Sequence, residues 1–275
     1  MGQQIDAVAV SSAGGGTAHP PETLEGWFTL HDSYVLRSAA DTRGAVLQDA
    51  AAAVDELNRE LRGGGWTALV SLVGGPADLL ALHCRATTDE LETARWRIAQ
   101  ATGASLERRW SQLGVTEAGL YHITAELARA AESGGGSVGD EQYAAELARR
   151  AAAERDSDHV RRRLYPPFPA GMPFVSFYPM SKRRVNGQNW YTLTLDERSA
   201  LMRAHGVTGR KYAGRVLQII TGAIGLSEWE WGVTLFTRDL LDVKRLVTEM
   251  RFDEVSAKYA EFGDFYVGKV IASAG

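Results

Sequence analysis

The feature that most constrains the fold is an order of elements that occurs twice along the chain. In the first half, the apolar pattern predicts two helices and four strands in the order βαββαβ. The predicted elements are a strand over Gly26–Leu36, a helix over 41–61, strands over Trp66–Val73 and Leu79–Cys84, a helix over 88–102 and a strand around Gly119–Leu127.

The same order returns in the second half. The predicted elements there are a strand over Pro173–Pro179, a helix over 195–205, strands over Arg215–Thr221 and Glu228–Phe236, a helix over 239–250 and a strand over Asp264–Val270. Each half then has an antiparallel sheet with helices on one face, and the other apolar face must be buried against the second half. The sequence therefore predicts an α+β fold of duplicated ferredoxin-like halves, a dimeric α/β-barrel.

Two stretches break this pattern. Residues 1–22 are small, polar and glycine-rich, which predicts a flexible N-terminal leader. The glycine-rich stretch 132–142 lies between two alanine-rich helical stretches and marks a linker. The expected organisation is a leader (1–22), an N-terminal half (23–130), a helical insertion (131–165) and a C-terminal half (166–275) that carries the binding site.

Composition excludes several classes of function. The 275-residue chain has a formal net charge of −4, which argues against a nucleic-acid-binding protein because phosphate contacts need a basic surface. A single cysteine, Cys84, excludes an intramolecular disulfide and a cysteine-based zinc site, which favours a cytoplasmic location. No apolar run is long enough to span a membrane. No glycine-rich phosphate loop occurs either, so nucleotide binding has no support.

Two polar clusters in the second half could carry chemistry. The first places Tyr178 four residues before the cations 182–184, which fits either a bound anion or a solvated strand end. The second surrounds His205, which precedes a glycine at the expected end of a helix. His205 could stabilise the last carbonyl groups of that helix, or it could be the axial ligand of a haem iron, which needs only one imidazole.

Three further patterns favour structural interpretations. Trp229, Trp231, Val233 and Leu235 alternate as one apolar strand face, typical of a core. The neighbours Tyr121 and His122, and likewise His31 and Asp32, resemble acid/base pairs. We predict that each pair lies on a strand, where adjacent side chains point to opposite faces.

Several long segments resemble one known family. They are YPMSKRR (178–184), NWYTL (189–193), MRAHGVTGRKYAG (202–214), QIITGAIGL (218–226), WEWGVTLF (229–236) and MRFDEVSAKYAEFGDFYVGK (250–269). In this order they are similar to the coproheme decarboxylases of the chlorite dismutase superfamily. TLEGWFTLHD (23–32) and VRRRLYP (160–166) extend the resemblance, which is loose over 104–158.

The resemblance implies roles for individual residues. His205 falls on the proximal iron ligand and Tyr178 on the tyrosine that carries a radical. Gln218 falls on the distal glutamine of Firmicute-type enzymes, where chlorite-decomposing relatives carry an arginine. Contacts to substrate propionates are implied for Arg163, Tyr178, Lys182, Ser256 and Tyr121. Lys182 is also expected to favour deprotonation of Tyr178, and His122 is expected to be non-catalytic.

The implied function is the last step of coproporphyrin-dependent haem biosynthesis. Hydrogen peroxide would drive decarboxylation of iron coproporphyrin III (coproheme), which is both substrate and redox cofactor, to haem b through a three-propionate intermediate. A homopentamer and transient contact with a coproporphyrin ferrochelatase are also implied. The alternatives are a haem protein with chlorite dismutase or peroxidase chemistry, and a non-catalytic haem carrier.

Overall fold

The computed structural model describes residues 19–37, 39, 41–60 and 64–273. Most of the predicted leader, residues 1–18, lies outside the described part. The elements, in chain order, are β1 (Thr23–Leu36), α1 (Arg43–Glu60), β2 (Gly65–Gly74), β3 (Leu79–Arg85), α2 (Thr88–Thr102), β4 (Leu106–Gly119), α3 (Tyr121–Ser133), α4 (Glu141–Arg155), α5 (Asp158–Leu164), β5 (Phe174–Lys182), β6 (Arg184–Val185), β7 (Gln188–Asn189), α6 (Leu195–Arg210), β8 (Val216–Gly222), β9 (Trp231–Thr237), α7 (Leu240–Arg251), α8 (Glu254–Tyr259), β10 (Ala260–Phe262) and β11 (Tyr266–Ala272).

The strands confirm the duplicated ferredoxin-like fold. Half one has the strand order β4-β1-β3-β2 and half two has the order β8-β9-β5-β11, which is the same arrangement read in the opposite direction. Pairing of β2 with β11 and of β4 with β8 joins the halves into a closed barrel of eight antiparallel strands, with β10 added beside β5. A closed barrel has no free edge in its ring of strands.

The two seams between the halves differ in length. β11 pairs with β2 from Val267–Gly74 to Ala272–Leu69. β4 pairs with β8 only at Val115–Gly222 and Thr116–Thr221. Side chains extend this shorter seam: the Ser227 hydroxyl accepts from the Leu113 amide and donates to the Leu113 carbonyl, both at 2.9 Å.

The strand predicted around Gly119–Leu127 is wrong. The fourth strand of the first half is Leu106–Gly119, and the helix α3 begins at Tyr121. Buried residues alternate at a spacing of two before Gly119, whereas Thr124, Ala125, Leu127 and Ala128 are buried at the spacing of a helix. Tyr121 and His122 are therefore helical neighbours and do not occupy opposite faces of a strand.

The barrel interior is mainly apolar and includes Trp66, Val175, Phe177 and Phe236. His31 points into it, where its ring stacks on Phe177 at 4.2 Å and its Nε2 lies 3.0 Å from Thr234 Oγ1. Asp32 points outward and pairs with Arg95 at 2.9 Å. The structural interpretation of His31 and Asp32 is confirmed. Within the described residues, no helix is long and apolar enough to cross a membrane.

Candidate functional site

The outer face of the second half-sheet brings Tyr178 and Gln218 to one surface. Tyr178 lies beside Val233 of β9, which lies beside Ile220 of β8, and Gln218 follows two residues along the same face. Strand spacing separates the two Cα atoms by about 12 Å. Helix α7 covers the apolar part of this face, whereas Gln218 is exposed. An exposed amide on the same sheet face as a buried phenol makes this face a candidate ligand surface.

Tyr178 lies in an aromatic pocket. Its ring stacks on Phe265 at 4.5 Å and contacts Phe262 at 5.8 Å. Burial raises the pKa of Tyr178 to about 12, and the positive charge of Arg251 opposes this shift. The guanidinium of Arg251 lies 3.7 Å from the centre of the Phe262 ring. The phenol is therefore protonated at neutral pH.

The expected influence of Lys182 on Tyr178 is wrong. Four residues of extended strand place the two Cα atoms about 13 Å apart, and Arg251 is the cation that acts on Tyr178. Lys182 instead lies with its Nζ 4.3 Å from the centre of the Trp190 ring. Burial lowers the pKa of Lys182 to about 8, against the opposing charges of Asp253 and Glu230.

Glu230 fixes the strand end that carries Lys182. Its carboxylate accepts a hydrogen bond from the Lys182 amide at 2.7 Å, and its own amide is 3.2 Å from Ser181 Oγ. No carboxylate among the described residues lies within ion-pair distance of the Lys182 ammonium group. A buried ammonium group without such a partner favours an anionic ligand.

His205 lies inside helix α6, not at its end as predicted. The helix continues through Gly206 and Gly209 to Arg210, because a glycine within a helix weakens it without terminating it. A capping box formed by Thr194 and Glu197 starts this helix. His205 therefore occupies a fixed position on a regular helix.

Asp253 orients the His205 ring. His205 Nδ1 is hydrogen-bonded to Asp253 Oδ2, and Ser256 Oγ lies 3.5 Å from the same oxygen. Asp253 precedes α8 as its N-cap but makes no side-chain capping bond, because its carboxylate turns to His205. A carboxylate at Nδ1 leaves Nε2 as the nitrogen available to a metal. Sequence reasoning missed Asp253, whose only signal was an acidic residue before a short helix.

The residues fit a haem-type iron better than a directly bound metal ion. The described residues contain no group of three or more His, Cys, Asp and Glu side chains that could hold a metal. One imidazole held by a carboxylate, as at His205, is sufficient for an axial ligand to a porphyrin iron. Buried Lys182 suits the carboxylates that such a porphyrin can carry.

The other predicted residues occupy three separate places. Tyr121 begins α3 and meets Trp190 edge-on at 6.5 Å, so it shares the Trp190 cluster with Lys182. Arg163 is exposed at the end of α5, where desolvation by nearby protein atoms lowers its pKa and the Glu117 carboxylate opposes this shift. His122 is exposed on α3, with Nδ1 3.4 Å from Arg203 Nη2, away from the Trp190 cluster.

The fold and the His205 site define the class: a duplicated ferredoxin-like barrel with a single imidazole suited to a porphyrin iron. The chlorite dismutase family model matches residues 43–271. The chain belongs to the chlorite dismutase family.

Comparison with individual proteins agrees with that family. The chain is 40% identical to a coproheme decarboxylase of Thermus thermophilus, over 92% of this chain and 93% of the relative. A solved structure of a haem-binding protein from Thermus thermophilus has a TM-score of 0.73 and 40% identity, covering 91% of this chain and 93% of that chain. A chlorite dismutase structure from Candidatus Nitrospira defluvii, at 17% identity, covers 90% of this chain and 91% of that chain, with a TM-score of 0.62. That likeness concerns the fold alone.

Proposed function

We propose that the protein is a hydrogen-peroxide-dependent coproheme decarboxylase that converts iron coproporphyrin III to haem b. The observation that carries the proposal is a carboxylate-oriented His205 on α6 and a buried, protonated Tyr178 on β5, two elements that both pack against helix α7. The identity of 40% to a relative of that name, across nearly the whole of both chains, supports it.

Each round removes one propionate carboxyl group. The side chain loses carbon dioxide, two electrons and one proton and becomes a vinyl group, while one hydrogen peroxide takes up two electrons and two protons to give two waters. Two rounds give haem b by way of a three-propionate intermediate. The bound iron, with peroxide, supplies the oxidising equivalents.

The chain's own residues hold and position the substrate in this scheme. His205 binds the iron through Nε2, and Asp253 fixes the ring. Lys182, Arg163, Ser256 and Tyr121 bind propionates, whose burial without partners would be prohibitive. Tyr178 gives up its phenolic hydrogen atom and then takes one from the propionate side chain. A phenol that stays protonated at neutral pH suits this hydrogen-atom transfer.

Gln218 supports decarboxylation over chlorite chemistry. Its neutral amide lies on the exposed part of the sheet face and offers no positive charge to hold chlorite. A guanidinium at the same position would supply that charge.

We further propose that the protein works in the cytoplasm as a homopentamer, and that a coproporphyrin ferrochelatase delivers the substrate by transient contact. The coproheme decarboxylase relative and the family membership support this context. Sedimentation of the purified protein, with and without iron coproporphyrin, measures the subunit number.

The test is incubation of the purified protein with iron coproporphyrin III and hydrogen peroxide, followed by mass spectrometry of the porphyrin. Two successive losses of carbon dioxide are expected. Tyr178→Phe keeps the ring and its packing but removes the hydroxyl group, so we expect normal binding and neither the three-propionate intermediate nor haem b.

Tyr212→Phe is the matched control, because Tyr212 is a buried tyrosine of the same apolar cluster whose hydroxyl donates to Glu249 at 2.6 Å. It should convert substrate like the wild type. Normal turnover by Tyr178→Phe would refute the radical role, and porphyrin recovered unchanged from the wild type would refute decarboxylation.

A further inference from the structure

Helix α6 carries a second functional candidate on the same face as His205. Arg198 lies seven residues earlier, which is two turns of helix and about 10.5 Å along the axis. Its side chain is buried, with 4% of the residue exposed. Met202, between the two, packs against the Trp190 cluster. Arg198 thus faces the same side of α6 as the proposed iron ligand.

The guanidinium of Arg198 has too few partners for a buried cation. Its Nη2 donates to the carbonyl oxygen of His19, and its Nε has no hydrogen-bond partner among the described residues. No carboxylate of the described chain lies within ion-pair distance of it. Leaving a buried charge without an opposite charge is strongly unfavourable. A planar guanidinium in this state is suited to bind a carboxylate through two parallel hydrogen bonds.

The surroundings of Arg198 are those of an anion site. Tyr121 is a neighbour: burial raises the pKa of its phenol, and the charge of Arg198 opposes that shift most strongly. Tyr121 and Lys182 both contact Trp190, so a phenol and an ammonium group adjoin this face of α6. The separation between Arg198 and His205 is comparable with the distance from a porphyrin iron to its peripheral carboxylates.

We propose that Arg198, together with Tyr121, binds one propionate carboxylate of the iron porphyrin that His205 ligates. The inference rests on the proposed function, since it supposes a porphyrin with carboxylate groups at His205. The carbonyl oxygen of His19 occupies one of the hydrogen-bond positions that the carboxylate oxygen takes in the complex. Arg198 is then a substrate-binding residue on the same helix as the iron ligand.

The experiment compares two ligands that differ only in their carboxylates. The wild type and Arg198→Met are titrated with iron coproporphyrin III and with its tetramethyl ester, and the Soret absorbance reports binding. We expect about tenfold weaker binding of the acid by the variant and unchanged binding of the ester, since a charge-assisted hydrogen bond is lost only with the acid.

Arg203→Met is the matched control, because Arg203 lies exposed on the same helix and its substitution removes the same charge. It should bind both ligands like the wild type. Equal losses for acid and ester in Arg198→Met, or no loss for either, would overturn the inference.

A second variant covers the case in which Arg198→Met does not fold. Arg198→Lys keeps the charge but not the planar fork, so it should bind the acid severalfold more weakly than the wild type and the ester equally well. Wild-type affinity for the acid would then overturn the inference. A wild-type protein that binds the acid but releases it unchanged after peroxide would refute the proposed function and leave this binding result standing.

Discussion

The two halves of the barrel share one topology but seal their helix-covered sheet faces differently. Where α1 and α2 pack on the first half-sheet, Ala50, Val54, Leu69 and Ile98 have no exposed surface. Under α7, the corresponding face carries partly exposed apolar residues around Tyr178 and an exposed Gln218. Duplication therefore lets one half act as a closed core while the other keeps an open face for a ligand.

Buried cations without an ion-pair partner occur in both halves. In the first half, Asp32 accepts two hydrogen bonds from Arg95 at 2.9 Å each, but Arg85 donates to Thr67 Oγ1 at 2.7 Å and its Nε and Nη1 have no partner among the described residues. In the second half, no carboxylate of the described chain lies within ion-pair distance of the side chains of Lys182 and Arg198. The halves differ in where these cations lie, since Lys182 contacts Trp190 and Arg198 lies on the helix that carries His205.

The largest expected effect is on the free energy of unfolding, and it should differ between the apolar cores of the two halves. Ile98→Ala removes a fully buried side chain of α2 and should lower the free energy of unfolding by about 3–4 kcal/mol, whereas Leu246→Ala on α7 should lower it by about 2–3 kcal/mol. Urea denaturation measures both. Porphyrin affinity should fall only in the Leu246 variant, since α7 covers the Tyr178 face. Equal affinity losses would contradict the division between core and ligand face.

The next effect concerns the ligand face alone. His205→Ala should weaken iron coproporphyrin binding by about 100-fold and remove the histidine-ligated spectrum, with the free energy of unfolding lowered by about 1–3 kcal/mol because the buried Asp253 carboxylate loses its hydrogen-bond partner. Absorbance titration and urea denaturation check the two parts. His122→Ala, at an exposed histidine of α3, is the control. An unchanged spectrum would end the assignment of His205 as the iron ligand.

A smaller effect follows from the charge of Lys182. Its pKa of about 8 in the folded chain lies below its usual 10.5, so above pH 8 the amine of the free protein is neutral. Affinity for iron coproporphyrin should then fall by up to about tenfold per pH unit above pH 8. Lys182→Met should remove this dependence, and a wild-type affinity independent of pH up to 10 would contradict it.

The same pKa predicts the opposite pH dependence for the stability of the ligand-free protein: affinity falls with rising pH, whereas the free energy of unfolding rises. Between pH 8 and 10.5 the unfolded chain holds the Lys182 proton more tightly than the folded chain does, so the ligand-free protein should gain stability as the pH rises through this window. Urea denaturation of the wild type and Lys182→Met at pH 7.5 and 10 measures the difference.

The smallest effect compares two equivalent helix starts. Capping boxes begin α2 at Thr87 and α6 at Thr194. Thr87→Ala and Thr194→Ala should each lower the free energy of unfolding by about 1 kcal/mol. Only the Thr194 variant should also weaken porphyrin binding, by about twofold, because α6 carries His205. A matching loss in the Thr87 variant would show that the halves are not independent.

Local patterns in the sequence were sufficient to predict most of the fold. The strand over Leu79–Cys84 and the helix over 88–102 match the structure almost to the residue, because apolar spacing and a capping threonine mark them. The strand around Gly119–Leu127 failed because one segment changes from strand to helix spacing within two residues. The end of a strand at Gly119 can be found from sequence only by comparing the fit of the strand spacing and of the helix spacing on each side of that residue.

The site was predictable only in its main residues. Resemblance singled out His205, Tyr178 and Lys182, and these remain the central residues of the proposal. Asp253 and Arg198 could not be found from spacing, because each acts across elements far apart in the chain: Asp253 meets His205 on α6, and Arg198 meets the carbonyl of His19. The position of Arg251 beside Tyr178 likewise depends on tertiary packing.

The unequal seams of the barrel have a mechanical consequence. A strained barrel is expected to separate first at the seam that has the fewest backbone hydrogen bonds, which here is the β4–β8 seam. Side chains supply most of the bonds at this seam: Ser227 bonds to the Leu113 backbone, and Trp231 Nε1 donates to Glu117 at 2.8 Å. The β2–β11 seam has more backbone pairs and should stay joined. Opening at the β4–β8 seam parts the halves beside the strands that carry Gln218 and Trp231, so the ligand face lies on the side of the barrel that yields first.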